Sequence, residues 1–186
     1  MRDFTKEINL LRQFRKDPDK DDVLYKEKVK QKLLDNNELI YLLNNKELED
    51  SEAENDEYFG INILPCYIIS PTQSSAKNYV CYETSVENIS RDNSIIKYQE
   101  LIFYILCHVS DNIVKEIGSA RHDLIASVLI DAFQGSNLFG NQMKLISNKP
   151  SITDNDYVSR TLIFSQWTTN YPVRNGKVTN LRSGNR

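Results

Sequence analysis

The sequence predicts an α+β domain: a mostly antiparallel sheet with one long helix packed on a face, preceded by N-terminal helices. Three observations carry this. "IIKYQELIFYILCHV" (95 to 109) alternates with apolar residues on both faces, which places it in the middle of a sheet. "NYVCYETSVENIS" (78 to 90) and "DYVSRTLIFSQWTT" (156 to 169) alternate with a period of two. Between the strands, "GSARHDLIASVLIDAF" (118 to 133) sets Leu124, Ile125, Val128, Leu129, Ala132 and Phe133 on one helical stripe.

Taken from the N-terminus, Phe4, Ile8, Leu11 and Phe14 recur at helical spacing and predict an amphipathic helix over residues 3 to 16. "KDPDKDD" ends it. A second helix runs from about Asp22 to Leu34, with Leu24, Tyr25, Val29 and Leu33 on its apolar side. "DNN" at 35 to 37 interrupts the pattern, and a side-chain oxygen there can cap the short helix "ELIYLLN". Residues 47 to 57 hold seven acidic residues (Glu47, Glu49, Asp50, Glu52, Glu54, Asp56 and Glu57) and no basic one, so the run reads as a solvated loop or linker.

Beyond it, "FGINILPCYIIS" (59 to 70) is extended chain broken by Pro65, and "SPTQSS" is a turn. Val80, Tyr82, Thr84 and Val86 share a face of the next strand. In the central strand Leu101, Phe103, Ile105, Cys107 and Val109 face one way, and Ile102, Tyr104 and Leu106 the other. Ser119 is the expected cap of the following helix, with Asp123 near its positive end and Gly135 as its left-handed stop. "QMKLISN" and the strand at 156 to 169 complete the sheet. The chain thus divides into an N-terminal helical segment (1–46), an acidic loop (47–57), an α+β core domain (58–170) and a basic C-terminal tail or arm (171–186).

The 186 residues suit one ordinary domain with appendages, and a net charge of −3 gives no overall drive toward nucleic acid. Cys66, Cys81 and Cys107 are odd in number and widely spaced, which suits reduced core thiols better than a disulfide framework. No apolar leader follows the first residues, and the longest apolar run, nine residues, is too short for a membrane helix. A soluble protein of a reducing compartment is expected.

The chemical candidates are weak. Ser119, His122 and Asp123 lie within five residues, whereas a catalytic triad gathers distant segments with converging hydrogen bonds. Cys107 and His108 are neighbours in a strand and face opposite sides, so with His122 they make a poor metal site. No glycine-rich loop precedes a helix to hold phosphate, and the acidic run lacks the spacing and glycine of a calcium loop. Four basic residues after Tyr171, without interleaved aromatics, are a low-specificity signal for nucleic acid. The expectation is a non-enzyme without metal or cofactor, in which Arg121 and His122 point outward.

The order of segments resembles the tail terminator (tail completion) proteins of long-tailed bacteriophages over about residues 30 to 170. The resemblance runs through "QKLLDNNELIYLLNN", "ILPCYIISPTQSSAKNYVCYETSV", "YQELIFYILCHV", "GSARHDLIASVLIDAFQGSNLFG" and "MKLISNKPSITDNDYVSRTLIFSQWTTN". It implies a structural virion protein of the phage neck, built in the host cytoplasm. Such proteins form a ring, usually a hexamer, that caps the tail tube, stops its polymerisation and meets head-closure or other neck proteins. Genomic DNA passes through the lumen without sequence-specific binding. The helix at 3 to 16, the acidic loop and the tail depart from a compact family member and suggest added contacts. Arg121, His122, Arg174, Lys177 and Arg182 are the candidate interface residues. A lumenal acidic loop would repel passing DNA. Other readings are a different neck component (head-closure or adaptor protein), a non-virion regulatory binding module, and an enzyme resting on His122 and Asp123.

Overall fold

A computed structural model describes residues 4–16, 21–67, 78–89, 96–152 and 156–169. Four helices come first: α1 (Thr5–Gln13), α2 (Asp21–Leu34), α3 (Asn37–Leu43) and α4 (Lys46–Asp50). A 3-10 turn (Asn55–Tyr58) leads to β1 (Ile63–Leu64), β2 (Asn78–Ile89) and β3 (Ile96–His108). A second 3-10 turn (Val109–Asp111) leads to the hairpin of β4 (Ile113–Val114) and β5 (Ser119–Ala120), then α5 (Arg121–Phe133). Strands β6 (Lys144–Ile152) and β7 (Tyr157–Thr169) end the described chain.

The main sheet has five strands in the order β1-β2-β3-β7-β6. β1 is parallel to β2, and the other pairings are antiparallel. The architecture is therefore α+β with a mostly antiparallel sheet, as its alternation predicts. β3 lies at the centre, where its two-sided apolar pattern belongs. Val109 does not continue the strand; it falls in the 3-10 turn and is exposed.

One sheet face carries the core. Val80 and Tyr82 of β2, Leu101, Phe103, Ile105 and Cys107 of β3, and Leu162 and Phe164 of β7 meet Ile125, Leu129 and Phe133 of α5. Phe103 and Phe133 approach to 5.0 Å between ring centres, with Phe164 at 6.0 and 6.1 Å from them. The expectation of a single long helix on this face needs correction. α5 has 13 residues and α2 has 14, and α2 also packs on the sheet. Tyr25, Val29 and Leu33, spaced one turn apart, join the same buried cluster, as do Leu39, Leu42 and Leu43 of α3.

The opposite face is covered at one end. Tyr79, Cys81 and Leu106 are buried there beneath Ile61 and Leu64, with Tyr104 and Tyr157 alongside. Farther along the same face Tyr98 stands opposite Trp167, and both are exposed.

The caps explain the helix boundaries. Asn36 accepts a hydrogen bond from the Leu39 amide (2.9 Å), so the polar interruption at 35 to 37 starts α3 as expected. Gly135 follows α5 with a left-handed φ of 74°. Leu129 is fully buried between α5 and the sheet. Leu129→Ala should therefore destabilise the fold by about 2–5 kcal/mol, measured by denaturant unfolding.

Candidate functional site

The charged trio at the start of α5 does not present an open site. Arg121 is 7 % exposed, contrary to the outward orientation expected from sequence. Its Nε donates to the Asp111 carbonyl (2.7 Å), its Nη1 to the Leu42 carbonyl (3.0 Å), and its Nη2 lies 3.4 Å from Asp111 Oδ1. A guanidinium has five donors, so it can bind the end of α3 and the turn after β3 at once.

Asp111 is the complementary centre. Its carboxylate accepts from Asn44 Nδ2 (3.0 and 2.9 Å) and from Asn78 Nδ2 (2.7 Å). Asn78 also donates to the Leu43 carbonyl, while Asn45 donates to Asn62 and Asn62 to the Asn78 carbonyl. Asn45, Asn62 and Asn78 are buried. Arg121 thus ends in an internal polar knot.

His122 is half-buried and similarly engaged. Its Nδ1 lies 2.8 Å from Asn112 Oδ1 and its Nε2 3.2 Å from Asp123 Oδ1. Asp123 in turn meets Arg160 of β7 at 2.6 Å, and Arg160 donates to Asn148. Burial lowers the His122 pKa from its ordinary 6.5; the Asp123 carboxylate opposes this shift and the Arg160 charge adds to it. Ser119 lies in β5 instead of capping α5, and Ala120 holds the cap position without a side-chain bond. Asn112 supplies that role from ten residues away, accepting from the His122 amide at 3.3 Å. A cap delivered from a distant turn leaves no local sequence signal.

Cys107 faces the helices, and burial pushes its thiol pKa up. His108 faces the other way, its ring edge-on to Tyr157. Among the described residues no group of three or more His, Cys, Asp or Glu is placed to hold a metal. Arg174, Lys177 and Arg182 lie outside the described residues, as do the turn "SPTQSS" and the rest of the basic tail.

The acidic run is not a plain loop. It forms most of α4 and the 3-10 turn, because Asn45 caps the Leu48 amide and two apolar side chains anchor the run. Leu48 packs against the core and Tyr58 is buried within it. Glu47, Glu49, Asp50, Glu52, Glu54, Asp56 and Glu57 all remain exposed. Asn55 ties this run to the preceding helices, donating to the Leu34 carbonyl (2.8 Å) and to Asn37 Oδ1 (3.1 Å).

The open apolar surface lies elsewhere. A groove of about 450 Å³ runs between α3 and α5, lined by Asn37, Glu38, Tyr41, Leu42, Ile117, Leu124, Ser127 and Val128. Leu124 and Val128 belong to the predicted stripe of α5, which is wider than the sheet requires. The line of Ile125, Leu129 and Phe133 is buried, and the neighbouring line forms the groove wall. Ile117 reaches the groove from the β4–β5 hairpin, whose turn needs Gly118 at a left-handed φ of 72°. Tyr41 and Ile117 are 62 % and 56 % exposed. Sequence reasoning missed this groove because it joins residues some 75 positions apart. A second exposed patch, Tyr98, Ile146 and Trp167, borders a hollow of about 420 Å³ at the far end of the sheet.

The fold and these surfaces define a small α+β protein whose open features among the described residues include an apolar groove and an aromatic sheet patch. The chain belongs to the YomW family, whose sequence model matches residues 36–166, from the Asn36 cap to β7. The family is phage-associated. No curated protein matches the chain.

Two outcomes follow from the knot and from His122. Arg121→Met should destabilise the protein by about 2–5 kcal/mol, because the Leu42 and Asp111 carbonyls lose their guanidinium donor and the Asp111 carboxylate keeps only its asparagine amides. His122→Gln should be much milder at neutral pH. Below the ordinary histidine value of 6.5 the unfolded chain takes up a proton that folded His122 resists, so stability falls with pH. Urea unfolding at about pH 7.5 and about pH 5.5 should show a smaller loss in His122→Gln than in the wild type.

Proposed function

We propose that this chain is a structural virion protein of the phage neck, a tail terminator whose ring caps the tail tube, ends its polymerisation and joins it to head-closure proteins. The observation that carries the reading is the pair of exposed apolar surfaces on opposite sides of one sheet. The α3–α5 groove lies on the helical side, and the Tyr98–Trp167 patch on the other. Apolar surfaces of this kind, rimmed by polar residues, mark places where proteins meet. A ring subunit has to meet its neighbours around the ring and other components along the axis, so it needs separate surfaces for the two. The phage-associated family and the resemblance to tail terminators in the order of segments support the same reading. In this reading the protein works by shape and interface complementarity.

Purified protein mixed with tail tube protein should form rings at tube ends in negative-stain micrographs, and tubes should stop growing. Single copies that neither self-associate nor cap tubes would overturn the proposal.

A further inference from the structure

Helix α1 contributes no buried residue to the fold. Ile8, Leu10 and Leu11 are 48 %, 57 % and 60 % exposed, although Ile8 and Leu11 lie on one side of the helix. A nine-residue helix is marginal in water, and its stability comes from the surface on which its apolar side packs. Residues 4–16 carry Lys6, Arg12, Arg15 and Lys16 against Glu7, so this segment is basic.

The α3–α5 groove has the opposite character. Its floor and walls are Leu42, Ile117, Leu124 and Val128, and Glu38 stands on its rim. The Asn55–Asn37 hydrogen bond joins the exposed acidic run to Asn37, a lining residue of the groove, and Asp56 and Glu57 follow Asn55 in the chain. Within one copy α1 is not in the groove: Arg15, beyond its end, lies 3.6 Å from Glu27, midway along α2, and its apolar side is open.

We propose that α1 of one copy docks in the α3–α5 groove of a neighbouring copy, with Ile8 and Leu11 against Leu124 and Val128. The basic side chains of the arm then face Glu38 and the acidic run. This is helix-in-groove recognition, in which an amphipathic helix lays its apolar side into a complementary groove. The inference rests on the ring reading and names its subunit contact. Arm and groove are different surfaces of the same chain, so the contact is heterologous and closes into a ring if the rotation allows. A short helix supplies only part of the roughly 800 Å² per partner of a standard interface, so each contact is weak and closure adds the rest.

The test uses full-length chains. One variant carries Ile8→Glu with Leu11→Glu; the other carries Tyr41→Glu with Ile117→Glu, both at exposed groove positions that leave the core intact. Circular dichroism first establishes that each is folded, and sedimentation velocity over a wide range of concentrations, high enough to register a dimer held by one weak contact, then reads assembly. Each variant alone should need at least about a hundredfold higher concentration than wild type to associate. Mixed one to one, they should form dimers and nothing larger, because one variant retains its groove and the other its arm. If both variants assemble like wild type, the inference fails while the ring reading stands. Loss of assembly in the groove variant alone assigns the groove to another segment, such as the basic tail at 171–186, and overturns the role of α1. Loss in both with no dimers on mixing overturns it as well. Wild type that stays as single copies, with and without tube protein, removes the ring reading and this inference together.

Discussion

The polar knot around Asp111 and Arg121 is the constraint on which the rest of the structure depends. Its groups come from the C-terminus of α3, the start of β2, the turn after β3 and the first residue of α5. Apolar packing is non-directional and fixes how much surface is buried more than which ends meet. A partly buried carboxylate holding two asparagine amides and facing a buried guanidinium is directional, and leaving one partner unpaired is costly. The knot therefore sets where α3 ends relative to α5. That relation creates the groove, since Tyr41 and Leu42 form one wall and Leu124 and Val128 the other.

Much of the fold was legible in the sequence because its elements obey simple periods. β2, β3 and β7 alternate, and the stripe of α5 repeats at helical spacing, so their identity and order follow from local pattern. The caps at Asn36 and Gly135 were equally local. What failed to show locally depends on long-range polar contacts. Arg121 reads as a surface charge until Leu42, 79 residues away, and Asp111 are brought to it. Ser119 reads as a cap until Asn112 takes its place. The acidic run reads as linker because charge dominates its composition, although Leu48 and Tyr58 are enough to hold it against the core. The sequence could name α5 as the packing helix, but not that α2 shares its face, because the pairing of α2 with β2 is a property of the assembled sheet.

The stripe on α5 reconciles the core with the surface. An apolar stripe two residues wide suits a helix pressed between sheet and neighbours on two sides. Here the sheet takes Ile125, Leu129 and Phe133, and α3 covers the flank incompletely, leaving Leu124 and Val128 half-buried in the groove. The same arithmetic applies to α1, whose amphipathic pattern is clear in sequence yet buries nothing. Two incomplete burials of complementary charge on one chain are the condition for self-association, and they need no chemistry beyond burial and attraction of opposite charge.

The match to the YomW family includes every residue of the groove and of the polar knot, whereas α1 lies before it. The acceptor surface therefore lies within the portion of the chain that the family model matches, shaped by the same contacts that hold the fold. An arm ahead of such a surface needs only a basic, amphipathic turn or two to engage it. Its attachment is also adjustable. Screening at higher salt weakens the exposed charge contacts while leaving apolar burial in place. Assembly driven by the arm should thus weaken as ionic strength rises, with the fold unaffected, because the knot that shapes the groove is largely shielded from the same ions.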